Sequence, residues 1–290
     1  MKRLRSRLIE IRKNSNIARI IMFALFLLYS FTMLYALYWA FVNSFNDPVA
    51  YMLNKNAFPK KFRFENYAQA FKLLQANDTD LITMLVNSLW LCLGRTFISA
   101  YFLATCAYAF SKYNFWGKKV IWAVLILTLM LPLYGGSATK MKLIHAIGLY
   151  DNPLYPLLIS VSIQGTLLPI MRSYFDGISW EYAEAAQIDG ASKYRVLFEV
   201  MIPLAMPCLG SLMILGLISS WNDYTTALYF LPSFPTITTG LYLYAETSKY
   251  SINYPVYFAG IMLTCIPTLL LFIFAQKKIM SNIAMGGLKG

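Results

Sequence analysis

Two runs without a single charged residue, Ile20 to Val42 and Tyr254 to Gln276, each extend for 23 residues. Crossing the hydrocarbon core of a bilayer takes roughly 20 residues of helix, so both runs read as spanning helices. The rest of the chain agrees. At 58% hydrophobic and 13% charged, its 290 residues carry more apolar surface than one soluble core of that length could hide. Four further apolar stretches lie between the two runs: Leu81 to Phe110, Val120 to Ala138, Pro153 to Met171, and Leu204 to Trp221. The expected fold class is an all-α integral membrane protein with six transmembrane helices. Pro132 and Gly135-Gly136 interrupt the third span, and irregular backbone inside a membrane is tolerated where it is buried or lines a cavity.

Basic residues beside the spans set the orientation, because Lys and Arg stay on the cytoplasmic side. Seven lie before the first span. With that end inside, sixteen basic residues fall on the cytoplasmic side and eight outside, while Arg95 sits within a span. Both termini are therefore expected in the cytoplasm. This divides the chain into a basic amino-terminal segment (1–19), a six-span transmembrane domain (20–276) and a carboxyl-terminal tail (277–290). The net charge of +12 follows from this topology and from anionic headgroups, which makes membrane lipid a partner. No basic-aromatic module for nucleic acid is present. The first apolar run is longer than the core of a cleaved signal peptide and no small-residue cleavage site follows it. Cys92, Cys106, Cys208 and Cys265 all lie in apolar stretches at spacings unlike any metal or redox motif, so neither a metal site nor a disulfide is expected.

Between the spans, 43–80 carries turn signals, with a short surface helix expected near Asn66 to Phe71. Thr139 to Asn152 and Asn222 to Asn253 read as outer loops, and Ser111 to Lys119 as a cytoplasmic turn. The segment 172–203 is different, because it is polar and helix-forming inside an apolar chain. Ser179 can cap a helix whose first turns hold Glu181 and Glu184, acids suited to the positive end of the helix dipole. Tyr182, Ala185 and Ala186 share one face of it. Asp189-Gly190 supplies a sharp stop. Ser192 can cap a second helix, in which Tyr194, Leu197, Phe198 and Met201 recur at helical spacing before Pro203. Such stripes suit docking into a groove on a partner. They also suit two interfacial helices resting on lipid or on the chain's own spans.

The spacing of Glu184-Ala185-Ala186, three residues, Gly190, nine residues, then Val200-Met201-Ile202-Pro203 resembles the coupling loop of bacterial ABC importer permeases. Asn87-Ser88, Ala107-Tyr108-Ala109-Phe110-Ser111, Trp221-Asn222-Asp223-Tyr224 and the terminal Gly286-Gly287-Leu288-Lys289-Gly290 extend the resemblance to the carbohydrate-uptake permeases of the maltose type. Two departures are mild: Ile202 stands where the family commonly has Leu, and Ser179 where it often has Pro. The resemblance implies the type I importer permease fold, with residues 180–201 in a cleft of a cytoplasmic ATPase. Glu184, Ala185, Ala186, Asp189, Gly190, Tyr194, Leu197 and Phe198 would form the dock. Implied partners are two cytoplasmic ATPase subunits, a second homologous permease subunit completing a heterodimer, and an extracytoplasmic solute-binding protein. ATP and Mg would be bound by the ATPase subunits and no cofactor by this chain, which contains no Gly-x-x-x-x-Gly-Lys-Ser/Thr phosphate loop. His145 is the sole histidine and no catalytic constellation surrounds it in sequence, so the chain is not expected to be an enzyme.

Polar groups in or beside the spans are the candidates for a translocation path: Asn87, Arg95, Gln164, Trp221, Asn222 and Asp223. An unpaired arginine at the bilayer centre costs at least ~2.5 kcal/mol, so Arg95 needs water or a partner, either on a cavity or in an interhelical network. Asn87, Gln164 and the Trp221 to Tyr224 cluster suit sugar, which is bound by planar hydrogen-bonding side chains and aromatic faces. Trp221 equally suits an interfacial aromatic belt. The function expected is the permease subunit of an ATP-driven carbohydrate importer, with an oligosaccharide as cargo. A polyamine or phosphonate importer is the first alternative, and a secondary transporter the second.

Overall fold

The computed structural model describes residues 2–131, 136–161, 166–247 and 252–287. Described residues are helical or irregular, in the order α1 (Lys2–Ser44), α2 (Pro48–Leu53), α3 (Glu65–Leu73), α4 (Leu81–Lys112), α5 (Lys118–Met130), α6 (Ser137–Ala146) and α7 (Leu154–Ile159). Then follow α8 (Leu167–Asp176), α9 (Glu181–Ile188), α10 (Lys193–Arg195), a π-helical turn (Val196–Met201), α11 (Ile202–Trp221), α12 (Tyr224–Phe230), α13 (Ile237–Thr247) and α14 (Tyr254–Gly287). Four stretches are long and apolar enough to cross a membrane: Arg19–Ser44, Leu81–Lys112, Lys193–Trp221 and Tyr254–Phe274. These match four of the six expected spans. The other two are laid out in pieces, α5 with α6 and α7 with α8. Pro132, Gly135 and Gln164 lie outside the described residues, so the described helices by themselves establish four spans.

The described residues of 1–70 and 250–262 form one unit, and those of 71–249 and 263–290 another. In the first, the expected surface helix near Asn66 is present as α3, but Asn66 is buried and acts as a bolt. Its amide donates to the carbonyls of Ser44 (2.8 Å) and Asn46 (2.9 Å), satisfying backbone groups freed where α1 ends. Asp47 then caps α2 through the N–H groups of Val49 and Ala50 and pairs with Arg63 at 2.7 Å.

The second unit is organised by α4. Ala100, Leu103, Ala104, Ala107 and Tyr108 are buried on it, at i, i+3, i+4, i+7 and i+8, which is one helical stripe. Three of the five are alanines. Small side chains let backbones approach in a bilayer, where association rests on close packing. Against this stripe lie Leu168, Met171 and Phe175 of α8 and Ala205, Cys208, Leu209 and Leu212 of α11. Farther along, a Cβ on Gly216 of α11 would stand 3.6 Å from the Thr96 methyl of α4, another close approach. The expected outer loop 222–253 is instead built into this unit through α12 and α13. Asn87 donates to the Pro235 carbonyl (3.1 Å), and the Ser88 hydroxyl accepts the N–H of Ile237 (2.9 Å).

Ala104 is fully buried at the centre of this packing. Replacing it with Leu forces side chains off their rotamers and is expected to cost about 1–3 kcal/mol. Thermal unfolding of the detergent-solubilised chain should show Ala104→Leu melting well below the parent, while Phe97→Leu on the exposed side of α4 should melt near it.

Candidate functional site

Of the two caps expected in the segment 172–203, Ser192 is the N-cap of α10, whereas α9 has Trp180 in the cap position without a side-chain cap and Ser179 makes a turn one residue earlier. The Ser179 hydroxyl accepts the N–H of Glu181 at 3.3 Å and the Ser192 hydroxyl that of Arg195 at 3.3 Å. Between the two helices Gly190 takes φ +84°, a conformation open to glycine and strained for most other residues. The second helix departs from expectation. Val196–Met201 is a π-helical turn, with the N–H of Ile202 reaching back five residues to the Leu197 carbonyl. Pro203 has no N–H to give Glu199, and its ring would crowd that carbonyl in a regular α-helix. A π turn immediately before it relieves the conflict and rotates the stripe.

That rotation sorts the expected dock. Val196 and Met201 are buried with Ala183 in the core formed by α4, α8 and α11, and Leu197 and Ala186 pack half-buried beside them. Leu197 is therefore a packing residue here and not an exposed anchor. Phe198 lies stacked on Tyr101 at 5.8 Å. Glu184, Ala185, Asp189 and Gly190 are exposed, and the large apolar side chains facing outward are Tyr182 (55% exposed), Ile188 (86%) and Tyr194 (78%). Ile188 was not among the residues expected from sequence. Its signal was an aliphatic side chain two residues before the glycine stop, with no core position left to fill.

Several bonds tie this segment to the end of α4. The Lys112 ammonium donates to the Ile178 carbonyl (2.6 Å), and the Ser111 hydroxyl to the Asp176 carboxylate (2.6 Å). The rings of Tyr113 and Trp180, and of Tyr108 and Phe175, meet edge-on at 6.2 and 5.7 Å. One edge of the segment is thus exposed and the other is fastened to α4, α8 and α11.

A second polar cluster lies at the far end of α11. Arg95, near the middle of α4, donates to Asp223 at 2.6 Å. Asp223 also caps α12, accepting the Thr226 N–H (3.1 Å) and the hydroxyls of Thr225 (2.7 Å) and Thr226 (2.5 Å). Burial alone would raise this carboxyl group. Hydrogen bonds from Thr226, Arg95 and Thr225, together with the Arg95 charge, outweigh it and hold the group at about 2. Arg95 also lines a cavity of about 70 Å³ with Thr96, Ser99, Ser160, Ser219 and Ser220. The Thr96 hydroxyl is buried and has no hydrogen-bond partner among the described residues. The cavity has room for water but falls well short of the roughly 300–1,000 Å³ of an ordinary ligand site.

Two expected path residues are committed elsewhere. Asn87 is buried, donates to Pro235 and accepts from the Trp90 indole at 3.2 Å. Trp221 is buried with its indole donating to the Thr264 carbonyl at 3.1 Å, which is neither a sugar platform nor a belt position. Asn222 is exposed, its amide donating to Ile218 at 2.8 Å.

The sequence pattern of the family described as "Binding-protein-dependent transport system inner membrane component" matches residues 12–277. The chain belongs to this family. Among curated relatives, the arabinooligosaccharides transport system permease protein AraQ of Bacillus subtilis (strain 168) is 28% identical over 241 residues, 82% of this chain and 83% of that one. The diacetylchitobiose uptake system permease protein NgcG of Streptomyces coelicolor is 26% identical over 267 residues, 91% and 86% of the two. Among solved structures, a bacterial ABC transporter involved in the import of the acidic polysaccharide alginate superposes with a TM-score of 0.73 at 25% identity, covering 90% of this chain and 96% of that one. This is a multi-pass permease subunit of a bacterial inner membrane, and the segment 172–203 lies within the family match.

The Arg95–Asp223 pair yields a stability test. Asp223→Asn keeps a helix cap but leaves Arg95 unpaired in a low-dielectric site, an expected loss of about 3–5 kcal/mol. Adding Arg95→Met should recover most of it. Because the folded carboxyl is depressed from 3.8 to about 2, its contribution is complete above 3.8 and fades as pH falls through about 2. Thermal unfolding in detergent at neutral pH checks this, and equal melting of all three proteins would contradict it.

Proposed function

We propose that this permease carries an oligosaccharide across the membrane as part of an ATP-driven importer, with the segment 172–203 as the dock and lever for the ATPase. The observation that carries the reading is the two-sided build of that segment. Tyr182, Ile188 and Tyr194 form an outward apolar edge, while Ala183, Val196 and Met201 are locked in the core. A groove on a soluble partner suits such an edge.

The importer so read contains a second homologous permease, two cytoplasmic ATPase subunits that bind ATP and Mg, and an extracytoplasmic solute-binding protein. Both termini lie in the cytoplasm, on the side of the dock. Hydrolysis takes place in the ATPase subunits, and this chain converts their closure into helix movement. Carbohydrate as cargo is favoured by the relatives, whose names carry arabinooligosaccharides and diacetylchitobiose. Polyamine or phosphonate importers would share the same lever, so cargo and coupling are tested separately.

For coupling, Gly190 offers a clean probe, because a Cβ there would meet nothing within 4 Å and only backbone strain is at stake. Left-handed strain of roughly 1–2 kcal/mol corresponds to about a tenfold loss of ATPase binding. Gly190→Val should therefore capture the ATPase about tenfold less well, while Gly190→Asn, which tolerates positive φ, should stay near wild type. Capture by Gly190→Val equal to wild type would contradict the docking role. For cargo, proteoliposomes holding the whole transporter and its binding protein should take up an oligosaccharide only with ATP inside. Uptake of a polyamine or phosphonate with no sugar transported would overturn the carbohydrate reading.

A further inference from the structure

Beside the dock, the turn between α4 and α5 opens a pocket of about 510 Å³ whose lining includes Asn114, Gly117, Lys118, Lys119, Trp122 and Arg172. Three of these six are cations. One carboxylate, Asp176, is near, and it stands 3.7 Å from Arg172 Nε while accepting the Ser111 hydroxyl at 2.6 Å. The Arg172 guanidinium lies 4.0 Å over the Trp122 ring, which fixes its plane, yet its buried Nε makes no hydrogen bond. Lys118 is held in place by the Tyr113 carbonyl at 2.8 Å. Lys119 has neither a hydrogen bond nor an ion pair among the described residues.

The backbone adds donors at the same spot. Gly117, at φ +80°, begins α5 without a side-chain cap. Lys118 donates to Phe115 and Ile121 to Gly117, whereas the N–H groups of Lys119 and Val120 have no backbone acceptor among the described residues. Uncapped N–H groups at the positive end of a 13-residue helix, three cations and a buried guanidinium nitrogen that has an ion pair but no hydrogen bond among the described residues together describe a site for a tetrahedral anion.

Position selects the source of that anion. The pocket lies where α4 ends and α5 begins, at the end of an apolar span, and α5 continues from it with Val120, Ile121, Val124 and Leu127 exposed. Trp116 next to it is 99% exposed, as suits an indole at headgroup level. We infer that the pocket binds the phosphate of an anionic phospholipid, whose acyl chains lie along the apolar face of α5. Basic pockets at span ends take lipid phosphates on these terms. The inference is independent of the cargo, and of the pocket residues only Arg172 belongs to the segment proposed as the ATPase dock.

Native mass spectrometry of the purified full chain in detergent tests it, with phosphatidylglycerol and phosphatidylcholine of the same acyl chains as probes. The expected result is tighter retention of phosphatidylglycerol. Lys118→Gln with Lys119→Gln and Arg172→Gln should lose it at least tenfold, and Lys119→Glu alone, which breaks no internal bond, severalfold. Lys142→Gln, which removes a cation that does not line the pocket, should change nothing. Equal retention of the two lipids, or unaltered phosphatidylglycerol binding by Lys119→Glu, would overturn the inference. Displacement of the lipid by millimolar inorganic phosphate would make the occupant a soluble anion, against the inference. Variants that keep the lipid but lose the ATPase would make the pocket a protein dock and would overturn it equally.

Discussion

Helices in hydrocarbon gain nothing by hiding apolar side chains from one another, because the lipid is as apolar as they are, so their association rests on how closely they can pack. Ala100, Ala104 and Ala107 on one stripe of α4 provide that closeness, and α8 and α11 are held against it. Every functional feature of the larger unit depends on this contact. The segment 172–203 grows out of α8 and runs into α11. The Arg95–Asp223 pair joins α4 to the end of α11, and the small polar cavity lies between the same helices.

The segment 172–203, which we propose as the dock, is held by the same core. A docking element on a flexible loop would absorb the motion of its partner. Here Ala183, Val196 and Met201 share a core with the spans, while the Lys112 and Ser111 bonds hold α4 to residues 176–178. The π turn before Pro203 belongs to this design, because it lets a helix that must enter the membrane at a proline remain continuous from Lys193 to Trp221. At the other end of α11, Asp223 neutralises an arginine that hydrocarbon would otherwise reject and starts α12 at the same time.

The spans of α1, α11 and α14 were legible because a run of uncharged residues constrains length directly, and that of α4 because its apolar run carries a single charge, Arg95. Ser192 and Gly190 were legible because caps and left-handed stops are local. Contacts between residues far apart in sequence were not. Arg95 and Asp223 were each singled out as polar groups in need of a partner, but 128 residues separate them and nothing local joins them. Trp221 near a span end looks the same in sequence whether it faces headgroups, sugar or, as here, the Thr264 carbonyl. The stripe of Tyr194, Leu197, Phe198 and Met201 assumed 3.6 residues per turn, and the π turn forced by Pro203 changed which of them face outward. Asn66 read as part of a polar surface helix because its burial depends on carbonyls of Ser44 and Asn46 that only the folded chain brings near.

If residues 181–199 form the surface on which the ATPase sits, their backbone amides must feel its arrival. Amide hydrogen exchange measured on the permease with and without its ATPase reads this out residue by residue. Slowed exchange across Glu181 to Tyr194 on assembly is expected, with α3 unchanged. Exchange in that segment indifferent to the ATPase, with protection appearing elsewhere on the chain, would contradict the docking role.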